Sequence, residues 1–258
     1  LMLVYSTSLS KKLITTIEKL QLPVILVCEA SILFKFFCGD DSQFSKVLIL
    51  KDTGGRKWSN IYTHSEVGFI NIPFVLKETI PGTCNKCTNK ILVAFDGKCK
   101  QELLTAVSPA LNNLSNYEIS VIGDSRFTRK ILNMNIRTVS KVSLIENIRS
   151  SDLVIGNGFN ILFSILSGKP SIVVGESGFG GLITPGKIVQ QYNCFFSGRI
   201  GGEYGELVPA ALLLDDIYTI SEMPDQEINA LITGNLESMQ HQSLICEYRL
   251  NGMVEKVY

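Results

Sequence analysis

The sequence lacks several features that would assign it to a common functional class. Its 258 residues include 24 basic and 24 acidic ones, so it carries no net charge, which argues against a dedicated nucleic-acid-binding protein. No apolar run reaches the roughly 18 to 20 residues that span a bilayer, and the start LMLVYSTS has neither the basic stretch nor the cleavage site of a secretion signal. With only two histidines, a histidine-rich metal site is excluded, and we expect no metal.

The common nucleotide-binding motifs are also missing. No GxGxxG follows a predicted strand and no GxxxxGK[ST] occurs, so neither a dinucleotide fingerprint nor a P-loop is supported. A nicotinamide-dependent oxidoreductase is therefore the least favoured function. The stretch GESG (175–178) fails the GxSxG spacing by one residue, so a serine nucleophile is not supported either.

The cysteines do not form a disulfide framework. They number seven, an odd count, and are spread over a chain too long to need disulfides, which predicts a reducing, cytoplasmic compartment. Cys84 and Cys87 form a CxxC in a region without periodicity, and no second pair exists to complete a zinc site. Coincidence is the favoured interpretation, with zinc binding and thiol redox chemistry as the alternatives.

What the sequence does contain is a regular alternation of strands and helices in its C-terminal two thirds. Apolar strands are predicted to start near residues 91, 117, 136, 153 and 171, with amphipathic or capped helices between them. This spacing predicts βαβ crossovers and a parallel sheet covered on both faces, a Rossmann-like half of about 130 residues.

The N-terminal part is less regular. LMLVYS, PVILVCEA and KVLILKD predict three strands, VGFINIPFVL a fourth, and SLSKKLITTIEKL a helix between the first two. The polar stretch 77–90 is the predicted linker. We therefore expect an α/β protein of two Rossmann-like lobes: residues 1–82, small or truncated, and residues 83–258, which end in helices.

Glycine-bearing turns follow four of the predicted strands. In open parallel sheets such turns meet at the carboxyl edge, where helix N-termini bind anions, so they are candidate phosphate contacts. The simpler interpretation is that glycine only permits a tight turn. Arg199, in the glycine-rich GRIGG, is a candidate diphosphate contact. The candidate binding residues are Gly97, Gly123, Gly156, Asn157, Gly158, Asn160, Glu176, Ser177, Gly178, Gly180, Gly181 and Arg199.

The stretch SSDLVIGNGFNILFSILSGKPSIVVGES (150–177) resembles the nucleotide-sugar-binding half of GT-B glycosyltransferases. That half has a strand, a glycine or serine turn, a helix, a G-x-P and a further strand in the same order. ILVAFDG (91–97) resembles the strand and turn that open the second domain in the group of the lipid II N-acetylglucosaminyltransferase and the pseudaminic acid pathway UDP-sugar hydrolase. The closing segment MQHQSLICEYRLNGMVEKV is similar to their last helix.

The resemblance implies a UDP-linked sugar nucleotide bound as substrate in an interdomain cleft, with no other cofactor. The turn at residues 156–160 would face the diphosphate, and residues 176–182 the nucleoside or sugar. Transfer to an acceptor, which the sequence does not identify, needs a base in the N-terminal lobe. Glu29, at the end of a strand, and His64, in a polar loop, are the candidate catalytic residues, although the favoured interpretation of each is the simpler one, a strand-end carboxylate or a solvated loop residue.

One departure from the family pattern favours an alternative function. Many GT-B enzymes carry a glutamate on the helix before G-x-P, where it binds a hydroxyl of the ribose or sugar. Here Ser164 takes that position and the helix has no acid. The glycine-rich first turn of the closest group is also missing. The alternative is a non-catalytic GT-B-like binding or scaffold protein, with a protein partner or a second copy of the chain as its ligand.

Overall fold

A computed structural model describes the chain as two compact units, residues Leu1–Val75 with Gln242–Tyr258, and residues Leu76–His241. The described residues are 2–6, 24–29, 46–50, 66–70, 89–96, 100–123, 125–132, 136–140 and 143–255, with side chains for those between 89 and 242. The predicted boundary between residues 82 and 83 stays a prediction. The predicted helix within residues 8–20 and the cysteine pair at 84 and 87 lie outside the described residues.

The first unit contains a four-stranded parallel sheet. Its strands are β1 (Met2–Ser6), β2 (Val24–Glu29), β3 (Lys46–Leu50) and β4 (Glu66–Ile70). They lie side by side in chain order, and their carboxyl ends share one edge of the sheet. All four strands were predicted, because each is a short apolar run rich in Val, Ile and Leu.

The second unit contains a six-stranded sheet with five parallel strands. The strands are β5 (Lys90–Ala94), β6 (Glu118–Ile122), β7 (Ile136–Val139), β8 (Leu153–Gly156), β9 (Ser171–Gly175) and β10 (Gly178–Leu182). Their order is β10-β9-β8-β5-β6-β7, with only β10 antiparallel. This is the Rossmann order, in which the direction of winding reverses between β5 and β8. The predicted parallel α/β sheet is confirmed.

Seven helices accompany the sheets in the described part of the chain. They are α1 (Lys100–Leu111), α2 (Ser125–Ile131), α3 (Leu144–Ser150), α4 (Gly158–Leu166), α5 (Pro185–Asn193), α6 (Ala210–Glu222) and α7 (Asp225–Glu255). As expected, α5 begins after Thr184 with Pro185 in its first turn. None of the helices in these described segments is both long and apolar enough to cross a membrane.

The six-stranded sheet buries both of its faces. Along β5, Ile91 and Val93 pack in one apolar cluster with α1 and α6, whereas Leu92 and Ala94 pack in another with Ile148 of α3. Because alternate side chains of a strand point to opposite faces, a strand buried on both sides must be apolar throughout. This explains why the central strands are continuous apolar runs in the sequence.

The segment after β9 differs from the prediction. A glycine-bearing turn was expected over residues 175–181, but only Glu176 and Ser177 form a turn, and Gly178–Leu182 is the antiparallel strand β10. Its sequence GFGGL has no β-branched residue, so it does not have the composition of a strand. The strand forms because its glycines allow close packing: a Cβ at Gly180 would lie 2.9 Å from the Cβ of Val173.

Candidate functional site

The carboxyl ends of β5 and β8 are joined by asparagine side chains. The backbone N–H of Asp96 donates to Oδ1 of Asn157 at 2.7 Å, and Nδ2 of Asn157 donates back to the Asp96 carbonyl at 3.3 Å. Nδ2 of Asn160 donates to the carbonyl of Ala94 at 3.0 Å. Both asparagines are buried. Their amides therefore bind backbone groups at the carboxyl end of β5, where the winding of the sheet reverses, and they hold this crevice in one geometry.

Helix α4 begins at this crevice with a free backbone donor. Asn157 is its N-cap residue but makes no side-chain cap hydrogen bond, because its amide is used by Asp96. The N–H of Gly158 donates to the carbonyl of Phe196, and that of Asn160 to the carbonyl of Asn157. Within the described residues, no hydrogen bond is formed by the N–H of Phe159. A free N–H at a helix N-terminus, with its partial positive charge, is suited to bind an anion.

An aromatic cluster borders the same turn, and sequence reasoning missed it. Phe159 and Phe163 stack with ring centroids 6.0 Å apart, and Phe195 meets Phe159 edge-on at 4.8 Å. Phe159 is 37% exposed and Phe163 36%. The spacing of residues 159 and 163, one helical turn apart, was the available signal. The contribution of Phe195 could not be predicted, because it depends on where the chain returns after α5.

The remaining predicted residues are distributed along several elements. Gly123 directly follows β6 and is exposed at the same edge of the sheet. Glu29 is the last residue of β2, at the carboxyl edge of the first unit's sheet. Gly97 and His64 lie outside the described residues. The structure thus brings Gly156, Asn157, Gly158 and Asn160 together, and the binding and catalytic roles of all these residues stay predictions.

The tip of the β9–β10 hairpin is covered by the segment that follows α5. Ser177 donates its N–H to the carbonyl of Ser197 and accepts from the N–H of Arg199, and Gly205 donates to the carbonyl of Glu176. Gly178, Gly180 and Gly181 belong to β10, where Gly178 and Gly181 pair with β9 and Gly180 lies at an irregularity between Phe179 and Gly181. Of the predicted residues in this hairpin, Glu176 and Ser177 alone have a side chain, and both are half-buried.

The guanidinium of Arg199 is engaged by a carboxylate. Its Nε lies 2.8 Å from Oε1 and 2.9 Å from Oε2 of Glu206. The hydrogen bond to Glu206 and the charge of that carboxylate raise the pKa of Arg199 above its ordinary value. The pair is exposed to solvent, so it adds little stability, and binding of a diphosphate by Arg199 would require it to leave Glu206.

Ser164 points away from the crevice. Its side chain is completely buried, and the hydroxyl of Ser171 donates to its hydroxyl at 2.8 Å. This contact joins α4 to the start of β9. The residue predicted to replace the family's glutamate therefore packs between helix and sheet. A glutamate at this position would bury its charge in an apolar environment, which is energetically costly.

A half-buried carboxylate secures the end of β10. Oδ2 of Asp216, on α6, accepts a 2.6 Å hydrogen bond from the N–H of Leu182, and the ammonium group of Lys187 donates to the carbonyl of the same residue at 3.3 Å. Burial raises the pKa of Asp216 above its ordinary value, and the charge of Asp215 adds to this. The Leu182 hydrogen bond and Lys187 act in the opposite direction.

We expect Asp216→Asn to gain stability relative to the parent protein as the pH rises from about 4 to 7. A folded-state pKa above the unfolded one gives stability that is present below the unfolded pKa and lost as the pH rises through the folded pKa. Asparagine does not titrate, and its oxygen can still accept from Leu182. Because Asp216 is only half-buried, the relative gain should stay below about 1 kcal/mol.

Urea unfolding of both proteins at several pH values measures this gain. The exposed neighbour Asp215 provides the control, since Asp215→Asn should retain most of the parent's pH dependence. A stability difference between Asp216→Asn and the parent that does not change with pH would show that the carboxylate titrates alike in both states.

Comparison with solved structures identifies the fold. The chain is similar to sucrose-phosphate synthase from Thermosynechococcus elongatus (TM-score 0.60, 10% identity, covering 99% of this chain and 73% of that one). It is also similar to HepE of Anabaena in complex with UDP and glucose (TM-score 0.58, 15% identity, 98% and 78%). A third match is the trehalose-6-phosphate synthase OtsA (TM-score 0.58, 8% identity, 95% and 69%).

These neighbours are GT-B glycosyltransferases, so the chain has the GT-B fold. The prediction of a GT-B-like α/β protein is confirmed at that level. Identities of 8 to 15% show the fold alone, and they do not distinguish the lipid II group from other GT-B enzymes. No family model and no curated protein matches the sequence.

Proposed function

We propose that this protein binds a UDP-linked sugar at the carboxyl edge of the six-stranded sheet and transfers the sugar to an acceptor. The observation that carries the proposal is the free N–H of Phe159 at the start of α4, beside the point where the sheet reverses its winding. Ligands of open α/β sheets bind at this point. HepE of Anabaena, which has the same fold, was crystallised in complex with UDP and glucose.

In this proposal the turn binds the diphosphate through its backbone. The Phe159 N–H donates to a phosphate oxygen, and Gly158, at φ +57°, has no side chain that would hinder the phosphate. Asn157 and Asn160 do not touch the ligand, because their amides hold the ends of β5 and β8. Glu176 and Ser177, at the hairpin tip, would contact the nucleoside or sugar.

Sugar transfer requires one bond to form and one to break. The acceptor hydroxyl attacks the anomeric carbon, the bond from that carbon to the diphosphate oxygen breaks, and a base takes the hydroxyl proton. Glu29 is the candidate base, supported by its place at the carboxyl edge of the parallel sheet in the first unit. The helix dipole of α4 would stabilise the departing UDP, which gains negative charge as the bond breaks.

We expect Phe159→Pro to weaken UDP binding about tenfold or more, since a hydrogen bond to a charged group contributes roughly 1.5 to 3 kcal/mol. Proline removes the N–H and is tolerated in the first turn of a helix. Phe159→Ala is the matched control, because it removes the same ring and keeps the N–H. Titration calorimetry with UDP measures both variants, and equal affinities for the two would contradict a phosphate at this position.

Thermal unfolding with millimolar UDP, GDP, CMP and NAD tests the choice of nucleotide. A ligand at 100 times its dissociation constant stabilises a protein by about 2.7 kcal/mol. Stabilisation by UDP alone supports the proposal, and stabilisation by none of the four contradicts it. UDP-N-acetylglucosamine is the donor to test first, because residues 91–97 resemble the strand and turn of the lipid II and pseudaminic acid group.

The second candidate is a GT-B-like binding protein without catalytic activity. It is favoured by α4, whose residues GFNILFSIL include no acid, and by the buried contact of Ser164 with Ser171. The two candidates differ in turnover. A protein that binds UDP but releases none from UDP-sugars in the presence of varied acceptors would be of the second kind.

A further inference from the structure

A second cavity lies at the carboxyl edge, between the first turns of α1 and the segment that follows α5. Its volume is about 280 Å³, close to the lower limit of known ligand sites. Leu103 and Ala106 of α1 form one wall, and Leu207 and Val208 form the opposite one. The end of β9 at Gly175 completes the lining. The cavity is therefore mainly apolar and large enough for one ring-shaped group.

Every charged side chain that lines this cavity is a carboxylate. They belong to Glu102, Glu176 and Glu206. Glu206 is neutralised by Arg199. The side-chain carboxylates of Glu102 and Glu176 form no hydrogen bond or ion pair within the described residues, so no cationic side chain of that part of the chain neutralises them. A diphosphate would be repelled by two such charges, whereas a cation would be attracted.

Large apolar side chains stand exposed at the mouth of the cavity. Leu207 is 86% exposed and Tyr204 71%. Both line the cavity, so a ligand seated in it would cover them. An apolar wall, an exposed aromatic ring and two uncompensated carboxylates together match a ligand that has an apolar body and a positive charge.

We propose that this cavity binds an organic amine: an ammonium group held by Glu102 and Glu176, on an apolar ring that packs against Leu103 and Leu207. The cavity shares Glu176 with the nucleoside or sugar contacts proposed above, but it includes no residue of the phosphate-binding turn, and amine binding does not depend on sugar transfer. If the protein transfers sugars, this cavity is where an amine-bearing acceptor would be held.

Three probes with the same phenyl body separate charge from shape. They are 2-phenylethylamine, 2-phenylethanol and phenylacetate, titrated into the full chain and followed by carbon-13 methyl NMR. We expect the amine to shift the methyl signals of Leu103, Ala106 and Leu207, and to bind more tightly than the alcohol, with phenylacetate weakest. Raising the salt from about 0.05 to about 0.5 M should weaken the amine alone, since salt screens exposed charges.

Carboxylate variants test the assignment of the charge. We expect Glu102→Gln and Glu176→Gln each to lower the affinity for 2-phenylethylamine about threefold, and the double variant about tenfold, which is the size of partly exposed ion pairs. Glu237→Gln, on the exposed face of α7, is the control and should bind as the parent does. Glu102→Gln should leave the affinity for UDP unchanged.

The proposal is overturned if phenylacetate binds as tightly as the amine, or if the double variant retains the parent's affinity. Methyl shifts confined to residues outside the cavity would overturn it as well. Leu207→Ala gives an independent check that does not depend on the core, because this side chain is exposed. It should weaken all three probes by a similar factor, since it shortens the apolar wall and changes no charge.

Discussion

Replacing Gly156 by alanine is expected to lower the free energy of unfolding by about 3 kcal/mol. A Cβ at this position would overlap the carbonyl oxygen of Ala94 on the neighbouring strand and lie 3.2 Å from its carbonyl carbon. Both partners are backbone in the centre of the sheet, so neither can move without separating β5 from β8. The same oxygen accepts the hydrogen bond from Asn160, which would be lost as well.

Gly186→Ala is the matched control for this prediction. Gly186 lies in the first turn of α5, and nothing would lie within 4 Å of its added Cβ. Alanine there should be neutral or stabilising by up to about 1 kcal/mol, the helix-propensity difference from glycine. In thermal unfolding, a loss of about 3 kcal/mol corresponds to a midpoint lower by roughly 6 to 12 °C for a chain of this size. A Gly156→Ala protein as stable as the Gly186→Ala one would show that the two strands can separate at little cost.

The parallel strands could be predicted from the sequence because strands buried on both faces consist of apolar residues only. Runs such as Ile91–Ala94 are apolar at every position, and only a strand covered on both faces requires that. Strand β10 was missed for the opposite reason. Three of the five residues in GFGGL are glycine, and the strand depends on contacts that β9 and Gly198 supply from elsewhere.

The candidate site was predictable in its position and only partly in its chemistry. The turn after β8 was expected to bind phosphate through Gly156, Asn157, Gly158 and Asn160 together. In the fold the two asparagine amides are used by backbone groups more than 60 positions away, Asp96 and Ala94. The two asparagine amides reach these backbone groups because β5 and β8 are neighbours in the sheet. That strand order cannot be read from a single sequence.

The cavity proposed to bind an amine could not have been predicted from the sequence. It joins Glu102 on α1 to Glu176 at the hairpin tip and Leu207 on the segment before α6, three stretches separated by strands and crossovers. Singly, each of these residues looks like an ordinary surface side chain. Only the packing of the segment after α5 over the hairpin tip turns them into one cavity.

Replacing Gly198 by alanine is expected to release that segment, at a cost of about 3 kcal/mol, which combines backbone strain with crowding. Gly198 has φ +129°, a conformation that residues with a side chain rarely adopt. Its added Cβ would also lie 2.7 Å from the carbonyl oxygen of Gly178 and 2.8 Å from the nitrogen of the same residue. The nearby hydrogen bonds from Ser177 to Ser197 and from Arg199 to Ser177 would break when the chain moves away.

Gly201→Ala separates the two contributions, because Gly201 also has a positive φ, +72°, but open space around its added Cβ. It should lose about 1 to 2 kcal/mol from the left-handed backbone alone, so Gly198→Ala should lose clearly more in urea unfolding.

Limited digestion with chymotrypsin gives a local readout. Cleavage after Tyr204 should be faster in Gly198→Ala than in Gly201→Ala, because the hydrogen bonds that hold the segment to the hairpin are lost in the first only. If both variants lost the same free energy of unfolding and were cleaved at the same rate, the close backbone contacts of Gly198 would not contribute to the loss of stability. The cavity lined by Tyr204 and Leu207 would then not depend on them.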